Sequence, residues 1–216
     1  ERHSYTHLFC SSVLNLAELV ALRPDLARLR KVVYYHENQL VYPVRKEQER
    51  DFQYGYNQLL TALTADVVVF NSDYNRDSFL NGIQGHFKLQ PDFRPPKDVL
   101  KARIEAKSRT LHFPLNLPTV LERRQKDGPL KIVWPHRWEH DKNPQSFFDV
   151  LQKLSDEGFA FQVCVLGESY SHIPDCFNRA KEQLGDKVLP WGYAESKAKY
   201  WELLSQCDVV VSTAKH

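Results

Sequence analysis

The chain has 216 residues, 42% of them hydrophobic, and its 29 basic and 27 acidic side chains leave a formal charge of +2. That is apolar material for one large core or two small ones, and the net charge by itself implies no polyanionic partner. No apolar run approaches the ~20 residues of a membrane-crossing helix, and without a methionine even at position 1 the sequence reads as a segment of a longer protein, from which a targeting peptide could have been removed.

In chain order, short β-rich runs alternate with helical patterns. Residues 31–35 (Lys-Val-Val-Tyr-Tyr) read as a buried strand, and Tyr56, Leu59, Leu60 and Leu63 have helical spacing. Residues 66–70 form the next strand, with Ser72 or Asp73 capping a helix over 73–82. A short strand at 110–113 precedes a linker running from Pro114 to Gly128-Pro129. The second half repeats the scheme. A strand at 131–134 leads to a helix over 144–156, which Gly158 ends, and a strand follows at 161–166. A short strand at 188–189, a helix carrying Tyr200, Leu203, Leu204 and Cys207, and a strand at 208–212 complete the chain.

The two halves echo each other. Tyr56-x-x-Leu59-Leu60 precedes Asp66-Val67-Val68-Val69, and Tyr200-x-x-Leu203-Leu204 precedes Asp208-Val209-Val210-Val211. Alternating strands and helices imply parallel sheets. The expected fold is α/β: two facing Rossmann-like domains, at 1–113 and 130–216, joined by the 114–129 linker, with a cleft between them. Cys10, Cys164, Cys176 and Cys207 form no C-x-x-C pair, and Cys164 and Cys207 lie in apolar patterns where a thiol behaves as a small hydrophobe. This usage fits a reducing compartment, cytosol or nucleus.

The densest chemistry lies in Ile132-Val133-Trp134-Pro135-His136-Arg137-Trp138-Glu139-His140-Asp141-Lys142-Asn143-Pro144. A strand ends, a polar loop holds Arg137 and Lys142 five positions apart, and a helix starts with Asn143 as expected N-cap and Pro144 in its first turn. Open α/β sheets bind ligands at the carboxyl ends of their strands. Two cations beside a helix N-terminus there suit a phosphate or diphosphate. Gly167 and Glu168 follow the next strand, where the glycine allows either a close ligand approach or a tight turn.

In the first half, His36, Glu37, Asn38 and Gln39, followed by Tyr42, come directly after a buried strand. His36 is a candidate for orienting a sugar hydroxyl or moving a proton. Residues 85–127 contain ten basic and five acidic side chains, a local excess of +5 against −3 for the remainder. That stretch is either a nucleic-acid contact or a solvated loop. His136 and His140 are four apart but in a loop and outside any H-E-x-x-H frame, so no metal site is expected. The sequence has no G-x-G-x-x-G, no P-loop and no G-x-S-x-G elbow.

The second half resembles the donor domain of retaining GT-B glycosyltransferases of family four. The match lies in Arg137 and Lys142, in Val165-Leu166-Gly167-Glu168, in Trp191-Gly192-Tyr193 and in the 204–212 segment. Tyr35-His36-Glu37-Asn38-Gln39-Leu40, the 49–58 segment and Trp134 to Lys142 narrow the resemblance to the tRNA-queuosine α-mannosyltransferase family. The resemblance implies mannosyl transfer, with retention, from GDP-mannose to queuosine in the anticodon of tRNA for aspartate. It makes Arg137 and Lys142 the diphosphate ligands, His136, Gly167 and Glu168 the donor-side loop, and Glu37, Asn38, Gln39 and Tyr42 acceptor-side residues. His36 becomes the catalytic candidate, no metal cofactor is implied, and the location is cytoplasmic or nuclear. A lipid or glycan acceptor, and a non-catalytic tRNA-binding module, are the alternatives.

Against the family pattern the sequence lacks the E-x-F-G-x-x-x-x-E segment and the first strand of the N-terminal domain. The expectation is a half-present donor site, a chain inactive alone, and a sheet edge prone to aggregation. The oligomeric state stays open.

Overall fold

A computed structural model describes residues 5–42, 51–90, 96–118, 128–169 and 173–215. The chain divides into two compact units, Glu1–Leu115 and Asn116–His216.

The first unit is a four-stranded sheet in the order β1-β2-β3-β4, built from His7–Ser11 (β1), Arg30–Tyr35 (β2), Val67–Phe70 (β3) and Ser108–Thr110 (β4). Every pairing is parallel, with Val33 between Cys10 and Val68. Successive side chains in a strand point to opposite faces. Val33, Tyr35, Val68 and Phe70 thus share one core with the helices Leu16–Leu22 (α1), Phe52–Thr64 (α2), Asp73–Phe87 (α3) and Lys97–Glu105 (α4). Side-chain caps start three of these helices. Asn15 Oδ1 accepts from Glu18 N, Asp51 Oδ1 from Gln53 N, and Ser72 Oγ from Asn75 N.

The second unit has the order β7-β6-β5-β8, again all parallel: Leu130–Pro135 (β5), Phe161–Leu166 (β6), Val188–Gly192 (β7) and Val209–Val210 (β8). Alternation divides its strands between two cores. Ile132, Trp134, Val163 and Val165 pack with Pro144–Asp156 (α5) and Cys176–Leu184 (α6), while Val133, Cys164 and Leu166 pack with Lys197–Ser205 (α7). A sheet covered on both faces is the usual home of parallel strands. The order runs outward from β5 through β6 to β7 and then returns to β8 on the other side of β5. The carboxyl ends of β5 and β8 therefore flank a topological switch point.

The echo between the halves has a physical basis. Asp66 N donates to Lys31 O (2.9 Å) while Lys31 N donates to Asp66 Oδ2 (2.7 Å). Asp208 and Lys131 repeat the exchange, at 2.8 Å each way. In both units the aspartate that opens a strand thus clamps the start of its neighbour.

Several sequence expectations need correction. Residues 7–11 and 16–22 form β1 and α1, which alternation alone did not mark. The stretch 85–127 is not simply a loop, since it carries α4 and β4. The 110–113 strand is instead Ser108–Thr110, and the last strand shrinks to Val209–Val210. Asn143 is not a side-chain N-cap. It adopts the left-handed conformation (φ 51°), and its Nδ2 donates to Ser146 Oγ at 3.0 Å. Asn143 stands alone between the 3-10 turn at His140–Lys142 and α5, and its left-handed backbone separates the two, a conformation asparagine tolerates better than most residues.

Candidate functional site

The loop after β5 sits at the switch point. Pro135 ends the strand, Trp138 N donates to Glu168 O (2.9 Å), and the 3-10 turn then delivers Lys142 to the start of α5. Arg137 is half-exposed and pairs with Glu139 at 3.3 Å. Lys142 is more enclosed, its side chain 15% exposed, and its Nζ lies 2.7 Å from Asp141 Oδ2. Both cations therefore carry a carboxylate partner that holds them in the loop. Pro144 begins α5 and has no N–H of its own, while the first turn of this 13-residue helix adds its partial positive charge.

His136 packs edge-on against Trp134 (5.0 Å between centroids), and its Nε2 is buried with no hydrogen-bond partner among the described residues. Burial, reinforced by the Lys142 ammonium and opposed by Asp141, holds its pKa below the ordinary 6.5, so the imidazole is neutral at pH 7. Gly167 faces the backbone of the same loop: a β-carbon there would lie 1.8 Å from His136 O, and φ is 139°. The group that comes close to this glycine is the backbone of the loop after β5, at His136 and Arg137, rather than a ligand. Glu168 is exposed and contributes its carbonyl to Trp138. Next to Gly167 an open cavity of about 250 Å³ is lined by Tyr193, Ala194, Ser196, Lys197 and Tyr200.

At the carboxyl end of β2, His36 is exposed, and Glu37, Gln39 and Tyr42 are half-buried. Gln39 Nε2 donates to Glu37 Oε1 (2.9 Å). Asn38 is buried and used by the fold. Its Nδ2 donates to Ser78 Oγ and its Oδ1 accepts from Leu40 N, both at 3.0 Å. The loop is also held by residues that the sequence reading did not single out. Gln58 Oε1 accepts from Gln39 N (2.9 Å), and Asn71 Nδ2 donates to His36 O (3.1 Å). Asn71 O meets His112 Nδ1 at 3.0 Å. Such partners come from distant elements, and spacing along the chain does not reveal them.

Within the basic stretch, Lys107 Nζ donates to the carbonyls of Leu63 and Ala65 at the end of α2, and Lys101 Nζ donates to Asn81 Oδ1. These two lysines serve the fold. Arg94, Arg123, Arg124 and Lys126, like residues 49–50 of the 49–58 segment, lie outside the described residues. Among the described residues no group of three His, Cys, Asp or Glu side chains is placed to hold a metal ion, and no helix is long and apolar enough to cross a membrane.

Two parallel sheets, with a double-cation loop at the switch point of the second, define a glycosyltransferase fold of the GT-B type, and solved structures agree. The crystal structure of TarM matches over 96% of this chain and 36% of its own, with a TM-score of 0.61 and 15% identity. The apo form of the lipopolysaccharide outer core galactosyltransferase WaaB matches over 97% of this chain and 50% of its own, with a TM-score of 0.57 and 12% identity. The family profile described as tRNA-queuosine alpha-mannosyltransferase N-terminal matches residues 1–115. The tRNA-queuosine alpha-mannosyltransferase of Drosophila melanogaster is 44% identical over 224 aligned residues, covering 99% of this chain. The chain belongs to the tRNA-queuosine α-mannosyltransferase family, and it spans 59% of the length of that relative.

Proposed function

We propose that the protein transfers mannose from GDP-mannose to queuosine in the anticodon of tRNA for aspartate, with retention of configuration. The observation that carries the donor half of this reading is the position of the Arg137–Lys142 loop, at the carboxyl end of β5 where the strand order reverses and α5 begins. The family membership and the relative's printed name support the acceptor half.

Departure of GDP builds negative charge on the diphosphate. Arg137 and Lys142 stabilise that charge, most strongly in the transition state, where it is largest. The N-terminal turn of α5 adds to them. With cations in that role the reaction needs no metal. Glu139 and Asp141 keep the two cations oriented before the donor arrives, so the arrangement is not rebuilt on binding. The cavity beside Gly167 is the place assigned to the nucleoside part of the donor. On the acceptor side His36 is the exposed candidate for contact with the attacking hydroxyl, with Glu37, Gln39 and Tyr42 around it, and Asn38 shapes the loop that presents them. The place of action is the cytoplasm or nucleus.

Calorimetric titration of GDP into the full-length protein tests the donor reading. Hydrogen bonds to charged groups are worth about 1.5–3 kcal/mol, so Arg137→Ala is expected to weaken GDP by about ten- to a hundredfold. Unchanged affinity would remove Arg137 from the site.

A further inference from the structure

Thr213 follows the end of β8 and joins the donor loop to the sheet through a single hydroxyl. Its Oγ1 accepts from Trp134 Nε1 at 2.9 Å and donates to the carbonyl of Lys142 at 2.7 Å. The direction of both bonds is fixed, because an indole N–H only donates and a carbonyl only accepts. One anchor, Trp134, is fully buried in the core of the second unit. The other is the main chain of Lys142, the residue whose ammonium is the enclosed cation of the loop. The neighbouring contacts repeat the link. Val211 N donates to Val133 O (2.9 Å), and Lys215 N donates to Asp141 O (3.1 Å). Consecutive carbonyls of the 3-10 turn, at Asp141 and Lys142, are thus held by the segment that follows β8.

We propose that Thr213 is a positioning residue for the donor diphosphate: its bridge from Trp134 to the Lys142 carbonyl sets where the Lys142 ammonium meets the leaving group. The proposal rests on the reading of Lys142 as a diphosphate ligand. The Lys142 N–H is held within the turn by Glu139 O (3.2 Å), whereas its carbonyl is held from outside the turn by Thr213, next to a left-handed residue and a helix that starts with a proline. Without the hydroxyl, the Trp134 indole N–H loses its acceptor in a buried setting and the turn loses one of its two ties. Valine has nearly the shape of threonine and cannot form the bridge, whereas serine can.

The test is a double-mutant cycle on the full-length protein, with GDP as the probe in calorimetry and the thermal midpoint recorded for each variant. Thr213→Val is expected to weaken GDP about tenfold, and Thr213→Ser to stay within about twofold of the unaltered protein. Once Lys142→Ala is present, adding Thr213→Val is expected to cost less than about a further twofold, because the group being positioned is gone. Wild-type affinity in Thr213→Val, or a loss that adds in full to that of Lys142→Ala, would overturn the proposal while leaving Lys142 as a ligand. No effect of Lys142→Ala itself would overturn the diphosphate reading, and the proposal with it. Thr213→Ala is the second hydroxyl-free variant should the valine variant fold poorly. A fall in thermal midpoint without loss of GDP affinity would assign Thr213 to stability alone.

Discussion

A β-carbon on residue 167 would collide with the His136 carbonyl at 1.8 Å, and the backbone there has φ 139°. Backbone cannot yield as a flexible side chain can, so the loop after β5 must move if any other residue stands at 167. Gly167→Ala is therefore expected to destabilise the protein by about 2–4 kcal/mol, and to weaken GDP binding because the displaced carbonyl adjoins Arg137. A thermal melt together with GDP titration checks both effects. A variant with unchanged melting and affinity would mean that the loop does not pack against residue 167. At this scale residue type was informative wherever the chemistry is local. Arg137 and Lys142 stand out from the sequence because both lie in one short loop. Thr213, Asn71 and Gln58 do not stand out, because each works through a partner more than 15 positions away and has an ordinary polar neighbourhood in sequence.

The junction between the 3-10 turn and α5 ends the loop that carries Arg137 and Lys142. Asn143, the described non-glycine residue with positive φ, stands there at φ 51°. Left-handed backbone costs most residues about 1–2 kcal/mol, and a β-branched side chain is worst placed to adopt it. Asn143→Gly is expected to be close to neutral in a denaturant melt, whereas Asn143→Val loses about 2 kcal/mol. Equal stability of the two variants would show that the left-handed junction is not required. The Asn-Pro pair announced the helix start in sequence, but the conformation of the asparagine depended on the turn before it. Elements with an apolar run or a strong helical period were legible: β2, β3, β5, β6, and helices α2, α3 and α5. The ones missed have mixed signals. Edge strand β1 exposes Phe9 and buries only part of Leu8 and Cys10. Helix α4 is largely polar, with Ile104 in the core and Leu100 packed against it, so its charges read as a loop. Helix α6 shows Phe177, Ala180 and Leu184 at helical spacing, a signal present in the sequence but overshadowed by the polar residues between them.

Across the whole molecule, each unit has a core of its own and uses the same aspartate clamp to align a strand with its neighbour. The repeated Y-x-x-L-L and D-V-V-V patterns made this duplicated α/β architecture legible before the strand order was known. The switch point itself was not legible, because it depends on β8 returning to the far side of β5, which no local pattern encodes. That return puts Thr213 and Lys215 against the loop after β5, where they hold the carbonyls of Lys142 and Asp141. The remaining step is from site to reaction. The most direct measurement incubates the full-length protein with sugar-labelled GDP-mannose and with tRNA that either contains or lacks queuosine, alongside the Arg137→Ala variant. Label only on the queuosine-containing tRNA, and lost in the variant, is the predicted result. Label on neither tRNA, from a protein that still binds GDP, would contradict the acceptor assignment, and full labelling by the variant would contradict the role of Arg137.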